Sequence, residues 1–596
     1  MGCRPGGLQR RGRRQDAGPR RRSRAPLCHP KNHFPPHPRI AVRGPRSGHG
    51  TDAQHPEGTS VSKPATVESG AQHGKLALVF VALVMAMLLA ALNQTILGTA
   101  LPTIVGELNG ANLMLWVITG YILASTIMMP IYGKLGDLIG RKSLLIGAIL
   151  VFLAGSIIGA LALDMTWLIA ARIVQGLGGG GLMILSQAII ADVVPARERG
   201  KYMGWMGGVF AFSSVVGPLI GGWLTEGPGW RWTFWFNVPV AVLALLGAIF
   251  FLKTPAKTSR PKLDIWGILL MAAATTGLVL VSSWGGSTYD WSDPVIISLI
   301  AGTVLAAFLF VLVERRTAEP IIPMELFRDL NFNLTTISGL LVSVAMFGAI
   351  GYMPTYLQMA TGATATEAGL LMIPMMGALL AASVVSGSLV SKTGRYKWMP
   401  IAGSAILAVA LVLMGLVHAD TAVWHICLNL GLLGLGLGLN MQILVLIVQN
   451  SFPARQVGTA TAANNFFRQI GATLGSAVVG SLFASRLVGF LTERLPADAV
   501  AATGGGNSLT PEMVHGLPEA IQTQIVESYN EALMPLFAFM VPLALAAAVL
   551  CLFIKEKPLA TSLEPDVMPE ALAEGNVLIT ADDDGEAARQ AEPSRR

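Results

Sequence analysis

The stretch GKLGDLIGRK, from Gly133 to Lys142, separates two long apolar runs. Its three glycines allow the backbone to turn and the ends of neighbouring helices to approach closely. Asp137 supplies a carboxylate between those ends, and the final Arg-Lys pair places positive charge where a membrane span re-enters water. A weaker copy, GSLVSKTGRYK, occupies residues 387–397, with Ser391 in the place of Asp137. One intact copy and one altered copy predict an internally duplicated membrane protein.

The composition supports a membrane protein. Hydrophobic residues make up 53% of the 596 residues and charged residues only 13%, which excludes an ordinary soluble globular chain. Apolar runs of about 20 residues recur, and a helix of that length crosses the hydrocarbon layer. The runs are continuous rather than alternating, which excludes a transmembrane barrel. The sequence therefore predicts an all-α polytopic membrane protein.

Fourteen apolar segments are long enough to span a membrane. They lie near residues 76–97, 113–132, 144–163, 167–188, 202–223, 233–252, 265–283, 295–313, 333–356, 366–387, 399–417, 423–446, 463–485 and 533–554. Loops after the even-numbered segments carry most of the Lys and Arg, whereas nearly all the opposite loops lack them. The positive-inside rule then predicts that the basic loops and both termini are cytoplasmic, in a multi-pass protein of the cell membrane.

The duplication extends beyond the opening stretch. VPARERG at residues 194–200 follows the fourth segment, FPARQVG at 452–458 follows the twelfth, and their prolines lie 258 positions apart. The same offset aligns Gly217 with Gly475. Two directly joined six-helix halves would give an offset of fewer than 258 positions. We therefore assign the extra residues to two helices inserted between the halves. Parallel repeats of this kind are found in transporters.

The sequence thus divides into five parts, and the two terminal ones are expected to be disordered because they cannot bury enough apolar surface to fold. The parts are a basic cytoplasmic arm at 1–74, a first six-helix half at 75–254, two inserted linker helices at 255–330, a second six-helix half at 331–556 with an external loop at 486–532, and an acidic cytoplasmic tail at 557–596.

Several motifs resemble those of major facilitator superfamily transporters. GKLGDLIGRK is similar to the loop between the second and third helices of that family, and RIVQGLGGG at 172–180 is similar to its fourth-helix motif. GPLIGG at 217–222 resembles the motif that marks antiporters. ALNQTILGTALP at 91–102 and TATAANNFFRQIGATLG at 459–475 resemble signatures of the fourteen-span drug:H+ antiporter branch.

The resemblance covers residues 75–555 and implies the major facilitator fold, with two six-helix halves and two inserted central helices. It also implies a secondary active transporter that exports small amphipathic or drug-like molecules by proton antiport, with the halves rocking about a midplane cavity. The expected partners are a small-molecule substrate, protons and the lipid bilayer. We expect a functional monomer, with no nucleic acid, no cofactor and no metal.

A first group of residues is assigned to conformational control or coupling. The resemblance implies that Asp137 and its loop help to set which side is open. Arg172 lies inside an apolar helix, where a charge costs about 2.5–3.5 kcal/mol, so it either organises a polar network or extends to the surface. In the fifth segment, Gly217 and Gly221 lie four positions apart and permit close helix packing, and Pro218 bends the helix. The group comprises Asp137, Arg141, Arg172, Gly217, Pro218 and Gly221.

A second group consists of polar and aromatic candidates for a substrate cavity. Asn93 stands where the antiporter branch commonly has an aspartate, and asparagine cannot carry a proton. The spans have no carboxylate at mid-membrane, so the proton carrier stays unassigned. Tyr352 and Tyr356 could instead pack against neighbouring aromatic or apolar side chains. Arg468 could instead extend to the membrane interface. The group comprises Asn93, Thr95, Gln175, Tyr352, Tyr356, Asn464 and Arg468.

Other functions are compatible with parts of the sequence. Asn93 leaves open an exporter with a narrow metabolite or lipid substrate, without proton coupling. A membrane-embedded enzyme would need convergent acids, bases or metal ligands, and the spans contain no paired carboxylates and no His/Cys cluster. A sensor would need an attached soluble domain, and none is visible in the sequence.

Overall fold

The computed structural model describes residues 68–110, 113–252, 263–286, 289–495, 513–514 and 517–561. Within those ranges, fourteen helices are long and apolar enough to cross a membrane, which confirms the predicted all-α polytopic class and the number of spans. Most of the predicted basic arm, the acidic tail beyond residue 561 and much of the predicted external loop lie outside the described residues.

The helices follow one another with short connections. Their bounds are α1 Glu68–Glu107, α2 Met114–Ile139, α3 Arg141–Ala160, α4 Met165–Val193, α5 Ala196–Glu226, α6 Trp232–Trp235, α7 Asn237–Phe250, α8 Ile265–Trp284, α9 Pro294–Glu314, a 3-10 turn Met324–Arg328, α10 Leu330–Ile350, α11 Met353–Thr361, α12 Ala365–Leu371, α13 Ile373–Thr393, α14 Trp398–Gly415, α15 Val423–Gln449, α16 Ala454–Arg494 and α17 Glu519–Leu552.

The predicted external loop at 486–532 is shorter in the structure. Helix α16 continues to Arg494 and α17 already begins at Glu519. The two extensions are held together by an ion pair of 2.6 Å between Arg494 and Glu531 and by a hydrogen bond of 3.0 Å from the Arg486 guanidinium to the Glu531 carbonyl. Each helix therefore has a packing partner beyond the apolar segment, which keeps it helical there.

The helices pack as two halves and a peripheral hairpin. In the first half, α1 packs on α5, and α4 packs on both α2 and α3; in the second half, α10 packs on α16, and α15 packs on both α13 and α14. The halves meet where α5 contacts α13 and where α2 contacts α16. In the hairpin of α8 and α9, it is α8 that packs on α2 and α16. Only 6% of the apolar stretch of α9 is buried, so α9 faces the lipid.

We call the side of the bundle at which α2 ends and α3 begins the basic end, because its loops contain most of the Lys and Arg. The segment after α17, residues 553–561, lies across this end. Glu556 accepts from the Tyr396 backbone N–H at 2.7 Å, and the Lys557 ammonium pairs with Asp329 at 3.0 Å. The carbonyl of Ala560 accepts from the backbone N–H of Arg197, at 3.0 Å, so the segment links the second half to the first.

Candidate functional site

The carboxylate of Asp137 connects the two halves at the basic end. It lies near the end of α2 and is buried. Its Oδ2 accepts from both the backbone N–H and the hydroxyl of Thr459, each at 2.7 Å, and its Oδ1 accepts from the backbone N–H of Gly458 at 3.2 Å. Both donors belong to α16. Since hydrogen bonds to an ionised acceptor are stronger than neutral ones, this contact favours the closed basic end.

Arg141 holds that carboxylate in place. Its Nη2 donates to Asp137 Oδ1 at 2.6 Å, and its Nη1 donates to Asp192 and, at 2.6 Å, to the carbonyl of Ala188. The guanidinium is buried between two carboxylates of the first half. A buried charge is tolerated when it is paired and fully hydrogen-bonded. The three side chains therefore form one rigid unit that aims Asp137 at α16.

The altered copy of the opening stretch makes the equivalent contact in the opposite direction. Ser391, near the end of α13, accepts from the backbone N–H of Lys201 in α5 at 3.1 Å. Gly387 faces Gly200 so closely that a Cβ on Gly387 would overlap the Gly200 carbonyl. The Arg197 guanidinium adds a bond of 3.3 Å to the Ser391 carbonyl. The second junction thus has the geometry of the first without its carboxylate.

Buried amides fill the space between the two junctions. Gln449 of α15 donates to the carbonyl of Gln187 in α4 at 3.2 Å, and Asn465 of α16 donates to the Gln187 side chain at 3.1 Å. All three side chains are at most 2% exposed, which leaves no water path among them. The halves are therefore closed against each other at the basic end.

Arg172 organises a polar network inside the first half. Its Nη1 donates to Gln175 Oε1 at 2.7 Å, and its guanidinium lies 4.3 Å from the centre of the Tyr121 ring. Gln175 Nε2 donates to Ser156 at 2.8 Å and to Asn93 at 3.3 Å. The network resolves the alternatives for Arg172: it is 1% exposed and does not reach the surface.

The glycines of the GPLIGG stretch bring α5 against α1. A Cβ on Gly217 would overlap the hydroxyl of Thr95, and a Cβ on Gly221 would overlap that of Thr99. Thr95 in turn donates to the carbonyl of Ser213 at 2.9 Å, which lies one turn before Gly217. Pro218 lies inside α5 and removes one backbone donor there. This stretch therefore fixes the contact between two helices that border the cavity.

A cavity of about 870 Å³ lies between the halves. At the end of the bundle opposite the basic end, the cavity reaches Gly286 and Tyr352, which follow α8 and α10. Towards the basic end, it stops before the buried amides. Such a volume suits a drug-sized molecule. Six methionines line the wall, together with phenylalanines and small hydroxyl residues; the methionines are Met87, Met129, Met183, Met346, Met376 and Met441.

Four of the seven residues expected in the cavity line it: Thr95, Tyr352, Asn464 and Arg468. The other three lie outside the lining, contrary to the prediction, because neighbouring polar groups engage them. Asn93 and Gln175 belong to the Arg172 network. Tyr356 is fully buried and donates to Asn530 of α17 at 2.7 Å.

Sequence reasoning missed several residues of the site. Asp192, Gln187 and Gln449 each lie in an apolar run near its basic end, and no motif singles them out. Asn237 follows a cluster of aromatic residues and donates to Asn93 at 3.0 Å. The available signal was the same for all four: a polar side chain inside an apolar segment needs a partner.

Comparisons with known proteins support the same fold. The family model described as Major Facilitator Superfamily matches residues 83–476. An uncharacterized MFS-type transporter of Mycobacterium tuberculosis is 42% identical over 81% of this chain and 70% of its own length. The multidrug transporter protein MdtP of Bacillus subtilis is 34% identical over 78% of this chain and 89% of its own length.

Among solved structures, the human organic anion transporter MFSD10 superposes with a TM-score of 0.55, covering 80% of this chain and 99% of that chain. The two sequences are only 15% identical, so this likeness concerns the fold alone.

Proposed function

The chain belongs to the major facilitator superfamily of transporters, and we propose that it exports small amphipathic or drug-like molecules from the cell in exchange for protons. The observation that carries the proposal is the cavity between the halves, which is closed at the basic end by Asp137 and the buried amides and extends to the opposite end. A central site that is closed on one side is what alternating access requires.

The orientation is part of the proposal. The loops at the basic end carry the lysines and arginines, and the positive-inside rule places such loops in the cytoplasm. The structure would then be an outward-facing state, from which substrate leaves to the outside. Opening at Asp137–Thr459 and at Ser391–Lys201 would expose the cavity to the cytoplasm for loading.

The names of relatives support export. MdtP is named a multidrug transporter, and further relatives are named efflux pumps, among them one of Gibberella moniliformis that is 30% identical over 85% of this chain. A wall rich in methionine adapts to different apolar shapes, because the unbranched thioether side chain repacks easily. Broad recognition of amphipathic molecules follows from such a wall.

The test is transport by the purified full chain in proteoliposomes against a panel of amphipathic compounds, with the internal pH recorded. We expect accumulation driven by a pH gradient, a matching proton flux, and loss of accumulation when an ionophore collapses the gradient. Transport that continues unchanged without the gradient would favour the uncoupled narrow-substrate exporter. No transport of any compound would contradict the proposal.

A further inference from the structure

Charge is distributed very unevenly around the cavity. Of the described residues that line it, Arg468 is the one that carries a charge; the others are apolar, hydroxyl, amide or aromatic. No Asp, Glu, Lys or His belongs to that lining. The position that could have supplied a carboxylate holds Asn93, which is neutral and faces the Arg172 network instead.

The Arg468 guanidinium is held in place but only partly satisfied. Its Nη2 donates to Asn465 Oδ1 at 2.6 Å, and Asn465 is itself fixed by Gln187 across the junction. Its Nη1 is buried and has no hydrogen-bond partner within the described part of the chain. A partly buried guanidinium without a counter-charge in the lining is costly, because desolvation is not offset by pairing.

From this arrangement we propose that the cavity binds amphipathic anions, with a carboxylate or sulfonate on Arg468 and an apolar body against the methionines. An anionic head would neutralise the guanidinium, whose charge no lining residue balances, and charge-assisted bonds of this kind are among the strongest that proteins make. A cation in the same place would be repelled. The inference rests on the proposed function, since it names the substrate class of the same cavity.

The test compares three probes that share an apolar body and differ in charge: 4-(pyren-1-yl)butanoate, the alcohol 4-(pyren-1-yl)butanol, and 4-(pyren-1-yl)butyl-trimethylammonium. Binding to the purified full chain is measured by fluorescence anisotropy in detergent. We expect the carboxylate to bind roughly 10- to 100-fold more tightly than the cation, with the alcohol between them.

Variants then locate the effect. Arg468→Gln should weaken carboxylate binding about 10-fold or more and leave alcohol binding within about 2-fold, whereas Arg468→Lys keeps the charge and most of the affinity. Arg494→Gln, on the same helix but paired with Glu531 outside the lining, is the matched control and should change neither.

Equal binding of anion and cation to the unaltered protein would overturn the inference, and this comparison needs no variant to fold. Unchanged carboxylate affinity in Arg468→Gln would also overturn it. Proton-driven export of cations alone would contradict the anion inference while supporting the proposed function, so the two can fail separately.

A second, independent observation concerns the peripheral hairpin. At its basic end, Asp264 precedes α8 and Glu314 ends α9, and both are buried, at 6% and 2% exposed. The two carboxylates flank Gly267: a Cβ there would overlap Asp264 Oδ2 and lie 3.0 Å from Glu314 Oε1. Asp264 Oδ2 has no hydrogen-bond partner among the described residues.

The pair is tied to the junction between the halves. Glu314 accepts from the backbone N–H groups of Ile321 at 3.2 Å and Ile322 at 3.3 Å. These isoleucines belong to one apolar cluster with Ile131 of α2 and Ala460 of α16, the two helices that Asp137 connects. The Lys134 ammonium, also on α2, is the positive charge that attracts the Glu314 carboxylate.

The geometry points to a proton held on Glu314, beside the Asp264 carboxylate, while the basic end is closed. Two buried carboxylates that flank the same glycine repel each other when both are ionised, so a proton bound to Glu314 stabilises the pair. Opening of the basic end would hydrate the pair and release the proton on that side. In the proposed antiport cycle, this release follows uptake of a proton from the opposite end and completes its entry.

Proton binding is tested directly and apart from transport. The purified full chain and the variants Asp264→Asn and Glu314→Gln are titrated between about pH 5 and 9, and bound protons are counted by potentiometry. Glu314→Gln should bind about one proton fewer than the unaltered protein over this range, and Asp264→Asn, which removes the repulsion, should bind its proton only at lower pH. Glu325→Gln, an exposed carboxylate of the same connection, is the control and should behave as the unaltered protein does.

Transport supplies the second readout. In proteoliposomes, Asp264→Asn and Glu314→Gln should lose about 10-fold or more of pH-driven accumulation and keep substrate-for-substrate exchange, which needs no net proton movement. Full pH-driven accumulation in both variants would overturn the inference. Absence of pH-driven transport in the unaltered protein would contradict the proposed antiport instead, and the titration would still decide whether the pair binds a proton.

Discussion

The two copies of the opening stretch close the same end of the molecule with different chemistry. In the first half, Asp137 is charged, buried with Arg141, and accepts three hydrogen bonds from α16. In the second half, Ser391 is neutral and accepts one backbone N–H from α5. Close backbone packing thus suffices to build a junction, whereas the charge makes one junction far more sensitive to its surroundings. We infer that the first junction controls opening.

The largest expected effect is that of Asp137→Asn. The amide keeps the shape of the side chain but removes a charge that Arg141 and Thr459 both require, and its NH₂ group faces donors. We expect the initial rate of substrate efflux to fall by about 10-fold or more. The rate is measured in vesicles and normalised to the amount of protein inserted in the membrane. An efflux rate equal to that of the unaltered protein would refute the assignment of control to this junction.

A second contrast separates the interiors of the halves. At the offset of 258 positions, Arg172 and Gln175 correspond to Leu430 and Leu433, which are buried in an apolar cluster. Arg172→Leu leaves Gln175 Oε1 without its donor and removes the additional bond to the Val117 carbonyl, so we expect a loss of about 1–3 kcal/mol in the free energy of unfolding.

The double variant Arg172→Leu/Gln175→Leu sharpens the comparison, because it reproduces the solution of the second half. Replacing a buried polar group together with its partner is often less harmful than removing one of them. Denaturant titration of the purified protein in detergent should therefore show the double variant to be at least as stable as the single one. A double variant that is clearly less stable would contradict this account.

The aligned glycines Gly217 and Gly475 provide the third contrast. A Cβ on Gly475 would overlap three backbone atoms of Val344, whereas a Cβ on Gly217 would overlap the Thr95 hydroxyl and lie 2.6 Å from Thr95 Cβ. The Thr95 hydroxyl can rotate away and leave only its Cβ to shift, but the Val344 backbone cannot rotate, so Gly475→Ala should cost about 1–3 kcal/mol of stability and Gly217→Ala less. The same titration measures both, and Gly222→Ala, which meets no atom within 4 Å, is the control. Equal losses for the first two would remove the contrast.

The smallest effect is expected for Ser391→Ala. The variant leaves the backbone N–H of Lys201 without its side-chain acceptor at the margin of the junction. A hydrogen bond of this kind contributes about 1 kcal/mol. Efflux should change by less than about 2-fold, measured as for Asp137→Asn. A loss as large as that of Asp137→Asn would show that both junctions depend on their polar contact and would end the distinction between them.

The fold could be predicted from the sequence more fully than the site. Apolar length and loop charge determine the spans, and these are properties of each segment alone. Which side chains face the cavity depends on helix rotation and continuity. Asn464 and Arg468 are one turn apart on the unbroken α16 and both line the cavity. Tyr352 and Tyr356 have the same spacing, but α10 ends before Tyr352 and α11 begins after it, so they face different surroundings.

Asn93 illustrates the same limit on α1. It lies two positions from Thr95, which is more than half a turn round the helix, so one residue faces the Arg172 network while the other faces the cavity. The sequence motif contains both and does not distinguish their directions.

The hydrogen bond from the backbone N–H of Arg197 to Ala560 gives the protein a built-in reporter of its conformation. It joins the first helical turn of α5 to residue 560, on a segment held by the second half, so it exists only while the basic end is closed. The Arg197 amide should exchange its proton for solvent deuterium slowly in that state and rapidly once the halves separate. Mass spectrometry of the peptide around Arg197 would then measure the fraction of molecules open towards that side, without an attached probe. A tag that replaces the residues after Leu552 would remove this signal, because Ala560 would be absent.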